Sequence, residues 1–116
     1  MSPTLLVVQH VDHEDAALVG ELARQRGLTL QTLRPDRGDP LPDPRAGANS
    51  IALVLGGPMS VNDHDQPGMD WLRQELDWLT AWHQQRRPVL GICLGAQLLA
   101  VAAGGSVQPL QVGAPP

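Results

Sequence analysis

Apolar residues along this chain occur in two alternating patterns, short unbroken runs and stripes at helical spacing. Unbroken runs of strand length cover residues 4–9, 51–55 and 89–92. Because these runs have no polar face, they predict strands that are covered on both sides. Residues 28–33 alternate apolar and polar side chains, which predicts a fourth strand with one wetter face. A further strand is predicted to begin within residues 106–110.

Apolar residues at helical spacing predict three helices, over residues 14–25, 69–85 and 94–103. In the first of these, Leu18, Val19, Leu22 and Ala23 fall on one side, so we expect that side to face the core. In the second, Leu72, Leu76 and Leu79 form the inward stripe. The third is apolar nearly all round, which predicts a buried helix.

Strands that alternate with helices indicate an α/β fold, a doubly wound and mostly parallel sheet of flavodoxin type with flanking helices. The proline-rich residues 34–49 are predicted to be a surface loop rather than a domain boundary, so residues 1–116 are expected to form a single domain. In such sheets, ligands bind beyond the carboxyl ends of the strands. Gly56, Gly57 and Cys93 all follow predicted strands and are expected at that edge.

The amino-acid composition excludes several classes of function. The 116 residues carry a net charge of −4 with no lysine, which argues against binding to nucleic acid or to an anionic membrane. No apolar run approaches the ~20 residues that span a bilayer, and a single cysteine suits a reducing compartment. These features predict a cytoplasmic protein. No cofactor is indicated, and His10 and His13 are poorly spaced for a metal site.

Cys93 lies between a predicted strand and a predicted helix, with Gly91 and Gly95 two residues away on either side. Glycine-x-nucleophile-x-glycine is the pattern of a nucleophile elbow, where a sharp turn leaves no room for neighbouring Cβ atoms. The N-terminus of the following helix should favour the thiolate form of the cysteine. The alternative interpretation is a small buried cysteine in a tight turn.

Two stretches, LVLGGPMSVND at 53–63 and PVLGICLGAQLLA at 88–100, resemble class I glutamine amidotransferases, and among them the GMP-synthase-like amidotransferase domains. The resemblance is strong over about residues 51–107. It implies that Cys93 attacks the side-chain amide of glutamine to form a γ-glutamyl thioester, and that the ammonia goes to an acceptor or a synthase partner. It further implies that the N–H groups of Gly57 and Leu94 form the oxyanion hole, and that Gln97 and Gly57 hold the glutamine.

The chain departs from the family pattern after the cysteine. Members of the family complete their catalytic triad with a downstream His-x-Glu pair, whereas no histidine follows Cys93 here. The sequence is therefore expected to represent the N-terminal half of the domain and to be inactive alone. His10 ends the first predicted strand and could approach the site, although a structural or surface role is favoured. Two other functions stay open: a non-catalytic interaction module, and a cysteine hydrolase of γ-glutamyl hydrolase type.

Overall fold

A computed structural model describes residues 3–46 and 49–108 and contains one sheet of four parallel strands. The strands are β1 (Thr4–Val8), β2 (Thr29–Leu33), β3 (Ser50–Val54) and β4 (Val89–Gly91), in the spatial order β2-β1-β3-β4. Every pairing between these strands is parallel. The α/β architecture and the parallel sheet predicted from the sequence are confirmed.

Three helices connect or follow the strands: α1 (Ala17–Gln25), α2 (Asp70–Gln84) and α3 (Leu94–Ala102). Short 3-10 helices, Pro35–Arg37 and Val61–Asp65, lie within the two long loops. Within the described ranges, no helix is long and apolar enough to cross a membrane. The strand predicted over residues 106–110 is not seen at 106–108, which are irregular, and its remainder lies outside the described residues.

The sheet is packed on both faces, because alternate side chains of the central strands point in opposite directions. On one face, Leu6 and Val8 of β1 pack in a large cluster with α2 and α3. On the other face, Leu5 and Val7 belong to a smaller cluster beneath α1. The buried side chains contributed by α2 and α3 to the large cluster are Leu72, Trp78, Leu79, Trp82, Leu94 and Leu98.

The prediction that this side of α1 faces the core is wrong for Leu18, Val19 and Leu22, which are all exposed, Leu18 by 70%. It is right for Ala23, which packs against the smaller cluster. The buried residue of α1 is Gly20, where an added Cβ would lie 3.0 Å from Leu30 Cδ2. Ala16 lies one turn away at helical spacing and is also packed against the smaller cluster. The helix thus approaches the sheet through its small residues, which allow a closer contact than the leucines would.

The end of the sheet beside β4 is less covered than its sequence predicts. Leu90 is 54% exposed, and Ile92 just beyond the strand is also exposed. In α3, the buried residues are Leu94, Gly95 and Leu98, so one side of this helix is open as well. Within the part of the chain that the structure describes, β4 has a single neighbouring strand, β3.

The difference between buried and exposed leucines gives a direct stability test. Leu79 is fully buried in the large cluster, so Leu79→Ala should lower the free energy of unfolding by about 2–5 kcal/mol. Leu18→Ala, in an exposed position, is the matched control and should change it by no more than about 0.5 kcal/mol. Urea denaturation measures both. A larger loss for Leu18→Ala than for Leu79→Ala would contradict the observed orientation of α1.

Candidate active site

Cys93 stands at the turn between β4 and α3 with its side chain exposed. Its backbone angles are φ 54° and ψ −112°, a combination that residues with a Cβ rarely adopt. Such a conformation costs on the order of 1–3 kcal/mol and persists only where the surrounding structure imposes it. The elbow geometry predicted for Cys93 is therefore present, and the alternative of a buried cysteine is wrong.

Two glycines make this turn possible. A Cβ added to Gly91 would lie 2.5 Å from the carbonyl carbon of Gly95, and a Cβ added to Gly95 would overlap the carbonyl oxygen of Val54. Backbone hydrogen bonds hold the same contact, because Ile92 N–H donates to the Val54 carbonyl oxygen at 2.9 Å. Helix α3 therefore begins directly against the end of β3.

The loop that follows β3 brings Gly56 and Gly57 next to the elbow. A Cβ added to Gly56 would lie 3.3 Å from Cys93 Cβ, whereas one added to Gly57 would lie 2.8 Å from the sulfur of Met59 and 3.4 Å from Leu94 Cδ2. Gly56 thus faces the cysteine, and Gly57 lies beside Leu94. The structure brings together the glycine pair, the cysteine and Leu94, as the sequence predicts.

Two backbone N–H groups are available at this place. Leu94 is the first residue of α3, so its N–H group has no acceptor inside the helix. The N–H group of Gly57 donates no hydrogen bond to any residue in the ranges 3–46 and 49–108. Free N–H groups beside a nucleophile can bind the oxyanion of a tetrahedral intermediate.

Gln97, on α3, has a structural contact in addition to its predicted role. Its side-chain oxygen accepts a hydrogen bond from the N–H group of Val61 at 3.1 Å. This contact ties the loop after β3 to α3, and Val61 itself is buried. The side-chain NH2 group of Gln97 donates no hydrogen bond to any of the described residues.

Glu14 lies in the site although the sequence places it at the start of the first helix. One carboxylate oxygen of Glu14 lies 3.4 Å from the position that a Cβ on Gly56 would occupy, a position also close to Cys93. The side chain is half-buried and forms no ion pair with any described residue. Because α1 begins only at Ala17, the chain around Glu14 can run along the edge of the sheet.

His10 lies in the interior, paired with Glu75 of α2. Its Nε2 atom lies 2.9 Å and 2.7 Å from the two carboxylate oxygens, and both side chains are fully buried. Its Nδ1 atom lies 3.2 Å from the carbonyl oxygen of Gly56. The structural role favoured by the sequence is confirmed, a surface position is wrong, and His10 has no free nitrogen with which to act as a base for Cys93.

Glu75 is a residue that sequence reasoning missed, although a signal for it exists. It falls three residues after Leu72 and four before Leu79, on the stripe of α2 that faces the core. A carboxylate at such a position needs a buried partner. The partner could not be identified because His10 lies 65 residues away along the chain.

The pair binds its shared proton tightly. Burial by itself lowers the pKa of His10, but the hydrogen bond and the charge of Glu75, the Gly56 carbonyl and the charge of Asp36 together raise the pKa above its ordinary value. Burial raises the pKa of Glu75. Both directions mean that the folded protein holds this proton more firmly than the unfolded chain does.

Other polar groups of the described residues do not form a second site. His13 and His83 are exposed, and no group of three or more potential ligand side chains could hold a metal ion within residues 3–46 and 49–108. A cavity of about 520 Å³ lies between the 3-10 helix Pro35–Arg37 and α2, where Trp71 and Trp78 line it. Cys93 does not line this cavity.

A parallel α/β sheet with an exposed cysteine at a strand-to-helix elbow defines a fold on which nucleophilic hydrolysis is carried out. The chain belongs to the class-I glutamine amidotransferase family, whose family model matches residues 17–114. The glutamine amidotransferase-like protein YfeJ of Salmonella typhimurium is 35% identical over 102 residues, 86% of this chain and 42% of that protein. The glutamine-hydrolysing GMP synthase of Thermomicrobium roseum is 42% identical over 59 residues, 51% of this chain and 10% of that enzyme.

A solved structure supports the same family. The crystal structure of a glutamine amidotransferase from Thermotoga maritima superimposes with a TM-score of 0.79 and is 26% identical, covering 90% of this chain and 44% of that one. The chain therefore spans less than half the length of these relatives. The resemblance to class I amidotransferases predicted from the two glycine-containing stretches is confirmed.

The His10–Glu75 pair predicts a pH dependence of stability. Because the folded pKa of His10 is raised above the ~6.5 of an unfolded histidine, its contribution is complete below about pH 6.5 and is lost as the pH rises through the folded pKa. The free energy of unfolding should therefore fall above pH 6.5, by at most about 1.4 kcal/mol per pH unit for one proton. Urea titrations from pH 5.5 to 9 measure it.

The control for this test removes the pair as a whole. In the double variant His10→Leu with Glu75→Leu, two apolar side chains replace the buried pair, a type of exchange that other proteins often tolerate. The decrease above pH 6.5 should disappear from this variant. Equal slopes in the two proteins would show that other groups cause the pH dependence.

The exposure of Cys93 predicts its reactivity. Iodoacetamide should label the native chain at Cys93 without denaturant, because the thiol is exposed at the elbow. Mass spectrometry after timed quenching measures the rate, and Cys93→Ser is the blank. Labelling that begins only in denaturant would contradict the exposed position.

Proposed function

We propose that this chain carries the nucleophile and the glutamine-binding elements of a glutamine amidotransferase. The thiolate of Cys93 attacks the side-chain carbonyl carbon of glutamine, and a γ-glutamyl thioester and ammonia result. The N–H groups of Gly57 and Leu94 hold the oxyanion, while Gln97 and the loop around Gly57 contact the glutamine. The small-molecule substrate is glutamine, and the ammonia passes to an acceptor or a synthase partner.

The observation that carries this proposal is the arrangement at the elbow. Cys93 has a backbone conformation that is unfavourable, its thiol is exposed, and two backbone donors and a glycine-lined space adjoin it. Strain that is retained at an exposed nucleophile is typical of functional sites. The carboxylate of Glu14, close to the same space and without an ionic partner among the described residues, offers a counter-charge for the α-ammonium group of glutamine.

Release of ammonia requires a proton donor, and none of the described residues supplies one beside Cys93. As the sulfur–carbon bond forms and the carbon–nitrogen bond breaks, the departing nitrogen needs a proton to leave as ammonia. Both ring nitrogens of His10 are engaged in the interior, so His10 is not the donor. We propose that a histidine from the length that the relatives possess beyond this match supplies the proton, so that the 116-residue chain alone lacks turnover.

A complementation experiment tests this proposal. The 116-residue chain should release no ammonia from glutamine above the level of its Cys93→Ala variant, because general-acid assistance worth about 10²–10⁴ in rate is missing. Addition of a separately expressed segment of a relative, covering the length that follows the elbow helix and carrying the His-x-Glu pair, should restore release. A coupled glutamate assay measures glutamine hydrolysis.

The outcomes separate the candidate functions. Restored hydrolysis that depends on Cys93 supports the amidotransferase function. Binding of the added segment without hydrolysis would favour the interaction module instead, for which the exposed Leu90 and Ile92 provide an apolar surface. Turnover by the 116-residue chain alone would overturn the assignment of the proton donor.

A further inference from the structure

A buried polar pair links three elements underneath the elbow. His10 follows β1, Glu75 lies in the middle of α2, and the ring of His10 contacts the carbonyl of Gly56 after β3. The ring also stacks on Trp71, with centroids 5.9 Å apart and planes at 29°. A charged or polar pair with no solvent exposure is costly to bury unless its geometry is well satisfied, and here every ring nitrogen has a partner.

The partners determine where the protons lie. The carbonyl oxygen of Gly56 can only accept, so the Nδ1 atom of His10 must carry a hydrogen and donate it. The Nε2 atom then shares a second proton with Glu75, either as an imidazolium facing a carboxylate or as a neutral ring facing a carboxylic acid. Both forms have a net charge of zero, and both retain the hydrogen bond to Gly56.

That hydrogen bond sets the orientation of one peptide group. The carbonyl of Gly56 and the N–H of Gly57 belong to the same planar trans peptide, in which the two bonds point in opposite directions. When the carbonyl is directed at His10 in the interior, the N–H of Gly57 must point away from His10. This agrees with the finding that the N–H group donates to no described residue.

Glycines on both sides make this constraint necessary. Because neither Gly56 nor Gly57 has a Cβ, their backbone can adopt angles that are closed to other residues, and the peptide between them can rotate. The rotated form would present a carbonyl oxygen where an oxyanion donor is required. Such an oxygen would repel the developing negative charge.

We infer that His10 and Glu75 are positioning residues that lock the Gly56–Gly57 peptide with its N–H group directed outward as an oxyanion donor. The functional part of this inference rests on the proposed amidotransferase function. The lock itself depends only on the hydrogen bonds among these residues.

The first experiment measures the lock in the full chain. His10→Leu removes the donor to Gly56, whereas Glu75→Gln keeps the lock, since a glutamine N–H can donate to Nε2 while Nδ1–H still donates to Gly56. In nitrogen-15 NMR spectra, the Gly57 amide signal should shift or broaden by exchange in His10→Leu. In Glu75→Gln, its chemical shift should change by less than the wild-type line width. An unchanged Gly57 signal in folded His10→Leu overturns the inference.

The second experiment measures the consequence at Cys93 with two electrophiles. A chloroketone analogue of glutamine forms a carbon–sulfur bond and releases chloride while its ketone oxygen occupies the oxyanion position, whereas iodoacetamide needs no such donor. His10→Leu should slow the chloroketone reaction at least ~10-fold and change the iodoacetamide rate less than about 2-fold. Glu75→Gln should slow neither reaction more than about 3-fold. Equal slowing of both reagents indicates a merely structural role and overturns the inference.

A third reagent, chloroacetone, distinguishes failure of the proposed function from failure of the inference about the His10–Glu75 pair. If wild-type Cys93 reacts no faster with the glutamine chloroketone than with chloroacetone, the chain does not recognise glutamine and the proposed function fails. The NMR comparison still decides whether the pair locks the peptide. Should His10→Leu not fold, the double variant His10→Leu with Glu75→Leu, which also has no side-chain donor to Gly56 and leaves no buried carboxylate unpaired, replaces it in both experiments under the same criteria.

Discussion

The close contact between the start of α3 and the end of β3 is the constraint on which the rest of this structure depends. Gly95 lies so near the carbonyl of Val54 that a methyl group could not be inserted, and Gly91 packs against the same turn. The helix and the strand are also held by Leu94, Leu98 and Val54 in one apolar cluster. With both sides of the turn fixed, Cys93 is forced to the apex in a conformation that it would not adopt in a free chain.

A second set of contacts supports the loop that faces this apex. The large cluster beneath it is apolar, with Trp82, Leu72 and Leu79 fully buried, and one polar pair crosses it. Glu75 extends from α2 through this layer to His10, which in turn meets the carbonyl of Gly56. Because α2 is packed against the sheet, the pair that extends from it fixes the position of the loop after β3.

These two supports bring the residues of the candidate site together at one edge of the sheet. Cys93, Leu94 and the glycine pair all follow the carboxyl ends of parallel strands, where ligands of doubly wound folds bind. The chain matches less than half the length of its relatives, and it contains the candidate nucleophile, the candidate backbone donors and the residues that support them. Under the proposed function, the proton donor for the departing ammonia comes from the length that the relatives possess beyond this match.

Much of this arrangement was predictable because it depends on local sequence. The strands and helices follow from apolar runs and helical spacing, with boundaries that differ by at most three residues. The elbow was predictable because Gly91, Cys93 and Gly95 form its pattern within five residues, although the contact that requires Gly95 is with Val54 of β3. The family was recognisable from two short stretches, because the groups that meet the substrate are concentrated in loops after strands.

The tertiary structure decided those features that depend on contacts between residues far apart in the sequence. Helical spacing in α1 is compatible with two inward sides, and only the close approach of Gly20 to Leu30 selects the side with small residues. Likewise, a histidine after a strand and a glutamate in a helix have many possible partners, and the fold pairs His10 with Glu75 across 65 residues. The sequence by itself determined the elements, the elbow and the family, through interactions between near neighbours. Packing across the sheet alone determined the orientation of α1, the position of Glu14 and the buried pair beneath Gly56.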